Sequence, residues 1–308
     1  MNPHVFAGNP LDRSDVQRRD QQWLDAQAAN PRSRFLPLWQ LNVLIHAGSE
    51  ARLGWLSPLD IKRLAIDVPP VFLGVLEGVA HFAIDVSQLH DPQHELNLDE
   101  AWRFEESRAA ATQLSLAESG ILAQSRAQLD WHRRHQFCSV CGERTVQGRG
   151  GHVRQCADCK AEHFPRTDPV AIMVVSDGER CLLGQSRGRL SRTGTYSALA
   201  GFIDQGESIE EAVRREVKEE AGVVVGKVRY HSSQPWPFPS SLMIGCHAQA
   251  LTTDIRMDDG EMTDVRWFSR DEVLAALKGE SSDLRVPAPI AIAHHLIRAW
   301  AYGEIRLE

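Results

Sequence analysis

Two cysteine pairs, Cys138-Ser-Val-Cys141 and Cys156-Ala-Asp-Cys159, stand with 14 residues between them. Four thiolates at that spacing can close a tetrahedron on Zn²⁺ at Zn–S distances of about 2.3 Å. All four corners are sulfur, so no position is left for a reacting water. The expected ion is structural and contributes folding free energy. Gly142 supplies a tight turn after the first pair, and Gly148, Gly150 and Gly151 are available for the turn of a hairpin between the pairs. The remaining thiols, Cys181 and Cys246, lie in apolar runs and read as core residues, not nucleophiles.

A second cluster is acidic. Glu216, Glu219 and Glu220 recur at i, i+3 and i+4, which gathers their carboxylates on one face of a helix. Such a run on a surface ordinarily means solvation. Here Gly201 and Gly206 bracket a loop that carries Glu207, and Arg215 adjoins the cluster where it can orient a carboxylate. Three like charges on one face repel unless a cation lies among them. Hard oxygen ligands suit Mg²⁺ or Mn²⁺, which keep waters and bridge to substrate phosphates. Further on, Ser233-Gln234-Pro235-Trp236-Pro237-Phe238-Pro239-Ser240-Ser241 alternates prolines with aromatics. The prolines predict an extended backbone displaying rings, either as a rigid loop at a strand start or as a ligand for a proline-binding partner.

Local rules supply the elements that hold these groups. Ser208 with Glu211 three residues on makes a capping box, Ala212, Val213 and Val217 form an apolar stripe, and Gly222 is a left-handed stop. Val170–Val175, Cys181–Leu183, Leu242–Ile244 and Val265–Phe268 read as buried strands. Before residue 130, Val43-Leu44-Ile45 and Val71-Phe72-Leu73 read as short strands, and Ala109 to Trp131 takes helical spacing. The expected fold class is α+β, in three parts: an N-terminal α+β domain over 1–132, a zinc ribbon over 133–166 and a third domain over 167–308.

The composition, 43% hydrophobic and 24% charged, is that of a soluble globular chain and excludes collagen-like, coiled-coil and wholly disordered classes. A net charge of −7 argues against generic binding to nucleic acid or anionic membrane. The ribbon is the local exception, with seven basic side chains against three acidic ones. That excess reads first as a solvated surface and second as a platform for a polyanion such as an RNA 5′ end. No apolar run approaches the roughly 20 residues that span a bilayer. The polar stretch Met1 to Asp20 is unlike a signal peptide, and Arg306-Leu307-Glu308 is not a peroxisomal signal, so the expected address is the cytoplasm.

Gly201 to Val223 resembles the Nudix box, G-x5-E-x7-R-E-U-x-E-E-x-G-U with U aliphatic, at every specified position. A chance match is on the order of 10⁻⁷ per chain. The resemblance implies a Nudix α/β/α sandwich that hydrolyses a nucleoside diphosphate linked to another moiety. It implies Glu216, Glu219 and Glu220 as ligands for Mg²⁺ or Mn²⁺. Glu220 is then the most critical, as ligand or water-activating base. Glu207 supports the site, Arg215 orients it, and the Ala200 carbonyl and Glu261 resemble further ligands. Cys138, Cys141, Cys156 and Cys159 before the box, and the segment Ser233–Ser241 after it, make the chain similar to the NAD(H) diphosphatase branch over residues 130–300.

That branch cleaves NADH and NAD⁺ to nicotinamide mononucleotide and AMP, and bacterial members also remove NAD caps from RNA. Its members are homodimers in which the proline-rich segment can serve the partner's site. The resemblance implies substrate contacts from Gln234, Pro235, Trp236, Pro237, Phe238, Pro239, Ser240 and Ser241, with Trp236 and Phe202 stacking on a base. Phe164 and the small Ala293 are implied near the ligand. The chain departs from the pattern at Gly150-Gly151, where some relatives carry a glutamate. Two competing readings are a Nudix hydrolase of another nucleoside diphosphate such as ADP-ribose, and a zinc-ribbon nucleotide- or RNA-binding regulator.

Overall fold

The computed structural model describes residues 4–48, 50–64 and 66–305. Met1, the start of the stretch read above as unlike a signal peptide, and Arg306-Leu307-Glu308 lie outside the described residues. The chain forms two compact units, Met1–Thr167 with Trp236–Ser240, and Asp168–Pro235 with Ser241–Glu308. Among the described residues no helix is long and apolar enough to cross a membrane.

The first unit is built on strands β1 (Arg34–Trp39), β2 (Asn42–Ala47), β3 (Ala51–Leu53), β4 (Val71–Leu76), β5 (Val79–Asp85) and β6 (Trp102–Glu105). They run in the order β3-β2-β1-β5-β4, with β6 also on β2, and β1 is parallel to β5. Helices α1 (Gln21–Ala29), α2 (Pro58–Leu64), α3 (Pro92–Glu95), α4 (Ser107–Ala111) and α5 (Leu116–Arg134) complete it. The strands read at Val43 and Val71 are present, whereas the helical stretch read from Ala109 to Trp131 is two helices, α4 and α5, parted at residues 112–115. Phe35 stacks on Phe82 at 4.9 Å inside an apolar cluster that includes Leu24, Leu44, Phe72 and Ile84.

The ribbon belongs to this unit, as the hairpin β7 (Thr145–Gly148) and β8 (Val153–Cys156) with a short β9 (Glu162–His163). Its turn passes through Gly150 and Gly151, both at positive φ. A Cβ at Gly150 would stand 2.8 Å from the Cβ of Phe72, and one at Gly151 would stand 2.9 Å from Val71 Cγ1. The turn packs down onto β4, which explains why glutamate is absent at these two positions.

Two half-buried histidines fasten the turn, His152 to β4 and His132 to α5. Arg18 donates to His152 Nδ1 at 3.1 Å, so His152 Nε2–H donates to the Phe72 carbonyl at 3.0 Å. Arg154 likewise donates to His132 Nδ1 at 3.0 Å, and His132 Nε2–H donates to the Gly151 carbonyl at 2.9 Å. Each ring has one nitrogen committed as an acceptor and is neutral in the fold.

The second unit is a sheet in the order β13-β14-β10-β11-β15, with β12 on β10. The strands are β10 (Asp168–Ser176), β11 (Arg180–Ser186), β12 (Leu199–Phe202), β13 (Val225–Trp236), β14 (Ser241–Ala250) and β15 (Met262–Ser269). Helices α6 (Arg189–Thr193), α7 (Ile209–Ala221), α8 (Arg270–Lys278) and α9 (Ile292–Ala301) flank it. Successive strand residues point to opposite faces. Ala171, Met173 and Val175 of β10 pack with Ala212, Val213 and Val217 of α7. Ile172 and Val174 pack with Val273 of α8 and with Leu296 and Ile297 of α9. The result is the expected α/β/α sandwich. Cys246 and Cys181 are fully buried in these two clusters, one on each face, as core residues.

One expectation fails locally. The Ser233–Ser241 segment is extended only to Trp236, then turns over residues 237–240, with a cis Phe238–Pro239 bond, before β14 begins. Pro237 and Pro239 have no N–H to give to a ladder, so strand pairing stops there.

Burial, with an added push from the neighbouring guanidinium, holds His132 and His152 down at about 4. In the unfolded chain both return to about 6.5 and bind protons more readily below that pH. Their contribution is therefore complete above about pH 6.5 and is lost as pH falls toward 4, by on the order of 2 kcal/mol per histidine between pH 7 and 5. Thermal melts of wild type and His152→Gln at the two pH values check this: the variant should lose less stability on acidification. Equal losses would show that His152 takes up no proton on unfolding.

Candidate active site

The acidic cluster is positioned by a strand, a loop and a helix. β12 lies antiparallel to β10, with Gly201 opposite Ala171 and Ala200 opposite Ile172. After Phe202 the chain crosses a loop closed by the Asp204 N–H, which donates to Glu207 Oε2 at 3.0 Å. α7 then starts at a capping box of Ser208 and Glu211 and ends at Gly222 in the left-handed conformation (φ 73°). Its apolar side is buried against the sheet, and its carboxylates return toward β12.

Arg215 is the hub. Its Nε and Nη2 grip Glu207 at 2.6 and 2.7 Å, and Nη1 reaches Glu216 at 2.7 Å and Glu219 at 3.0 Å. Nη2 also donates to the Phe202 carbonyl at 2.8 Å. A bidentate guanidinium–carboxylate pair is among the strong charge-assisted bonds, and Arg215 holds Glu207 down at about 2. The three helix glutamates are not equivalent. Glu216 and Glu220 are buried, whereas Glu219 is on the exposed edge of the same face.

Glu220 carries the most electrostatic tension. Burial, then the charges of Glu216 and Glu261, push its carboxyl up to about 8, against a backbone N–H bond from Ala200 that pulls it down. Its Oε2 is buried with no hydrogen-bond partner. Glu216 is also raised, first by burial. A buried carboxylate oxygen without a donor, beside two further acids, fits a divalent cation, which would satisfy that oxygen and offset the repulsion.

Glu261 reaches this neighbourhood by tertiary contact. The Arg256 N–H donates to the Ala221 carbonyl at 2.8 Å, docking residues 256–261 against the end of α7. Arg187 then holds the turn: its Nε donates to the Asp259 carbonyl at 2.9 Å, and its backbone N–H to the Glu261 carbonyl at 2.9 Å. Arg187 was not singled out from the sequence. It is one of three arginines in a short stretch with Arg189 and Arg192, far from Glu261 along the chain, and no local pattern distinguishes it.

The other residues proposed from sequence are dispersed. The Phe202 ring is 59% exposed beside Gly201, and Phe164, 59% exposed, belongs to the first unit. Trp236, Pro237, Phe238, Pro239 and Ser240 also group with the first unit, whereas Gln234, Pro235 and Ser241 belong to the second. Gln234 was expected on the substrate, but its side chain is wholly buried. It donates to the Ile290 carbonyl and accepts from the Ile292 N–H, both at 2.7 Å, which ties β13 to the start of α9. Ala293, expected to leave room for a ligand, is 3% exposed and packed into the apolar cluster under α9.

The four cysteines behave as spaced. Their Sγ atoms all lie within 4.8 Å of one another, with Cys138–Cys159 at 3.6 Å and Cys141–Cys156 at 3.4 Å. Those separations exceed the ~2.05 Å of a disulfide and suit the edges of a ZnS₄ tetrahedron. Among the described residues this is the one group of three or more potential ligands converging so tightly. The Val140 N–H at 3.4 Å and His163 Nε2 at 3.3 Å donate to Cys138 Sγ, and Gly142 turns at φ 85°.

Comparison with known proteins agrees with this geometry. Residues 165–287 match the NUDIX domain, residues 133–164 the NADH pyrophosphatase zinc ribbon domain, and residues 32–131 the NADH pyrophosphatase-like rudimentary NUDIX domain. The chain is 39% identical to the NAD-capped RNA hydrolase NUDT12 of Macaca fascicularis, over 96% of this chain and 73% of that protein. It is 42% identical to the mitochondrial NAD(P)H pyrophosphatase NUDT13 of Mus musculus, over 72% and 68% respectively. It is 35% identical to the NAD-capped RNA hydrolase NudC of Mycobacterium bovis, over 95% and 93%. The chain belongs to the Nudix hydrolase family, in its NADH pyrophosphatase branch.

Two outcomes follow from the geometry. A Cβ at Gly201 would stand 1.9 Å from the carboxyl carbon of Glu216. Gly201→Ala should therefore displace that side chain and weaken Mn²⁺ binding about 10- to 100-fold in a calorimetric titration; unchanged affinity would show that Glu216 is not a ligand. Removing zinc with a strong chelator should lower Tm by about 10 °C or more. An unaltered melt would deny the ribbon its structural role.

Proposed function

We propose that this Nudix hydrolase splits the pyrophosphate of NADH and NAD⁺ into nicotinamide mononucleotide and AMP, and removes NAD caps from RNA 5′ ends. The observation that carries the reading is the paired burial of Glu216 and Glu220, with one Glu220 oxygen left without a donor among Glu216, Glu219 and Glu261. The names of the relatives, NAD-capped RNA hydrolases and NAD(P)H pyrophosphatases, supply the substrate class.

Glu216, Glu219, Glu220 and Glu261, with the carbonyl of Ala200, would hold Mg²⁺ or Mn²⁺. When bound, such ions neutralise pyrophosphate oxygens and activate water. The protein's own part is to keep the acids in place. Arg215 fixes Glu207, Glu216 and Glu219 through one guanidinium, and Arg187 fixes the turn that carries Glu261. Glu220 acts as a ligand in this reading, because its free oxygen is enclosed. Phe202, next to Gly201, offers an exposed ring to a base; Phe164, Trp236 and the turn at Pro237–Ser240 are recognition elements that the family resemblance supports. Pro235 and Ser241 flank that turn.

The same reading divides the chain into an N-terminal α+β domain (1–132), the zinc ribbon (133–166) and the catalytic domain (167–308). It takes the protein to be a cytoplasmic homodimer. The family resemblance supports the dimer, and the polar stretch at the start of the sequence, unlike a signal peptide, supports the address.

Product analysis tests the activity. Incubation of NADH, and of NAD-capped RNA, with Mn²⁺ or Mg²⁺ should release nicotinamide mononucleotide. Glu220→Gln should lower kcat about 10²- to 10³-fold with the fold retained. NADH left intact while ADP-ribose is consumed would overturn the substrate assignment.

A further inference from the structure

The turn Trp236–Ser240 interrupts the second unit in sequence, yet its contacts lie in the first. The Arg108 guanidinium stands 3.7 Å from the centroid of the Phe238 ring, and that of Arg126 stands 4.4 Å from it. Arg108 also lies 6.0 Å over Trp236, and Arg126 donates to the carbonyl of Pro237. Phe6 meets both rings edge-on, at 5.8 Å for Trp236 and 5.7 Å for Phe238, and the two rings meet each other at 5.4 Å. Phe6 is itself buried and anchored, its N–H donating to the Ser119 hydroxyl of α5 at 3.0 Å.

Two guanidiniums converging on one benzene ring repel each other; Arg126 is half-buried, while the Arg108 side chain stays 41% exposed. The Nε atoms of Arg108 and Arg126 are both buried with no hydrogen-bond partner. What their flat faces have instead is the negative face of an aromatic ring. Glu106, 3.5 Å from Arg108, offsets part of the like charge. Asp130 offsets a further part, yet both guanidiniums still meet over one ring and Arg126 also donates to Pro237, so the turn is a partner they are arranged to hold. The indole of Trp236 remains only half-buried in this arrangement, so part of it is available to a ligand.

We infer that Arg108 and Arg126, with Phe6 behind them, are positioning residues for dinucleotide recognition: they fix the Trp236–Ser240 turn so that Trp236 is presented in one orientation. The inference rests on the proposed NAD(H) hydrolysis and gives the first 130 residues a part in it. A recognition ring on a turn held from outside loses less conformational freedom on binding. The carboxylates do not depend on this contact, so substrate affinity should respond and the chemical step should not.

Arg108→Met and Arg126→Met, singly and together, remove the charges while keeping apolar volume. Steady-state kinetics with NADH and Mn²⁺ should show KM raised about 10-fold in the double variant and kcat within about twofold of wild type. Arg126→Lys, which keeps a cation at the ring, should recover part of the loss. Tm and zinc content should stay near wild type. An unchanged KM in a folded double variant overturns the inference. So does a parallel fall in kcat for NADH and Tm, which would make the arginines merely structural. Wild-type protein that leaves NADH intact overturns the proposed function, and the recognition role with it.

Discussion

The site depends on one guanidinium standing among carboxylates that would otherwise drive one another apart. Arg215 touches Glu207, Glu216 and Glu219 within 3.0 Å and also caps the Phe202 carbonyl. It neutralises the acids at the loop side of the cluster and leaves Glu220, deeper and beyond its reach, with an unmatched oxygen. The electrostatic demand is thus concentrated at one carboxylate. A divalent ion is the partner whose charge and hard-oxygen preference meet that demand.

Backbone space is the second constraint on the same few atoms. The Glu216 carboxyl occupies the volume that any side chain at position 201 would fill. Gly206 and Gly222 serve a different need, left-handed backbone at φ 91° and 73°, where the loop turns and the helix stops. Gly222 needs clearance as well, since a Cβ there would stand 2.7 Å from Arg256 Cβ.

Elsewhere polar groups do structural work of a similar kind. The thiolates gather where a ZnS₄ centre fits, and neutral His152 and His132 accept from arginines while fastening the ribbon turn to β4 and to α5. Gly150 and Gly151 keep that turn close. The departure noticed in the sequence is thus a packing requirement between the hairpin and the strand beneath it.

What the sequence determined by itself was whatever short-range rules control. The capping box at Ser208, the stop at Gly222, the periodicity of α7, the cysteine spacing and the buried strand at Val170–Val175 all appear as read. Each involves residues close to one another in sequence, where propensity and spacing decide the outcome. Tertiary structure alone decided which members of a motif touch what. Gln234 was spent on α9, Ala293 on the core, and Trp236 and Phe238 on Arg108 and Arg126, more than a hundred residues away. Glu261 was brought to the acids by Arg187 and by the backbone of Arg256. These contacts join distant parts of the chain, and their energies come from packing and desolvation in three dimensions, which leave no periodic trace along one.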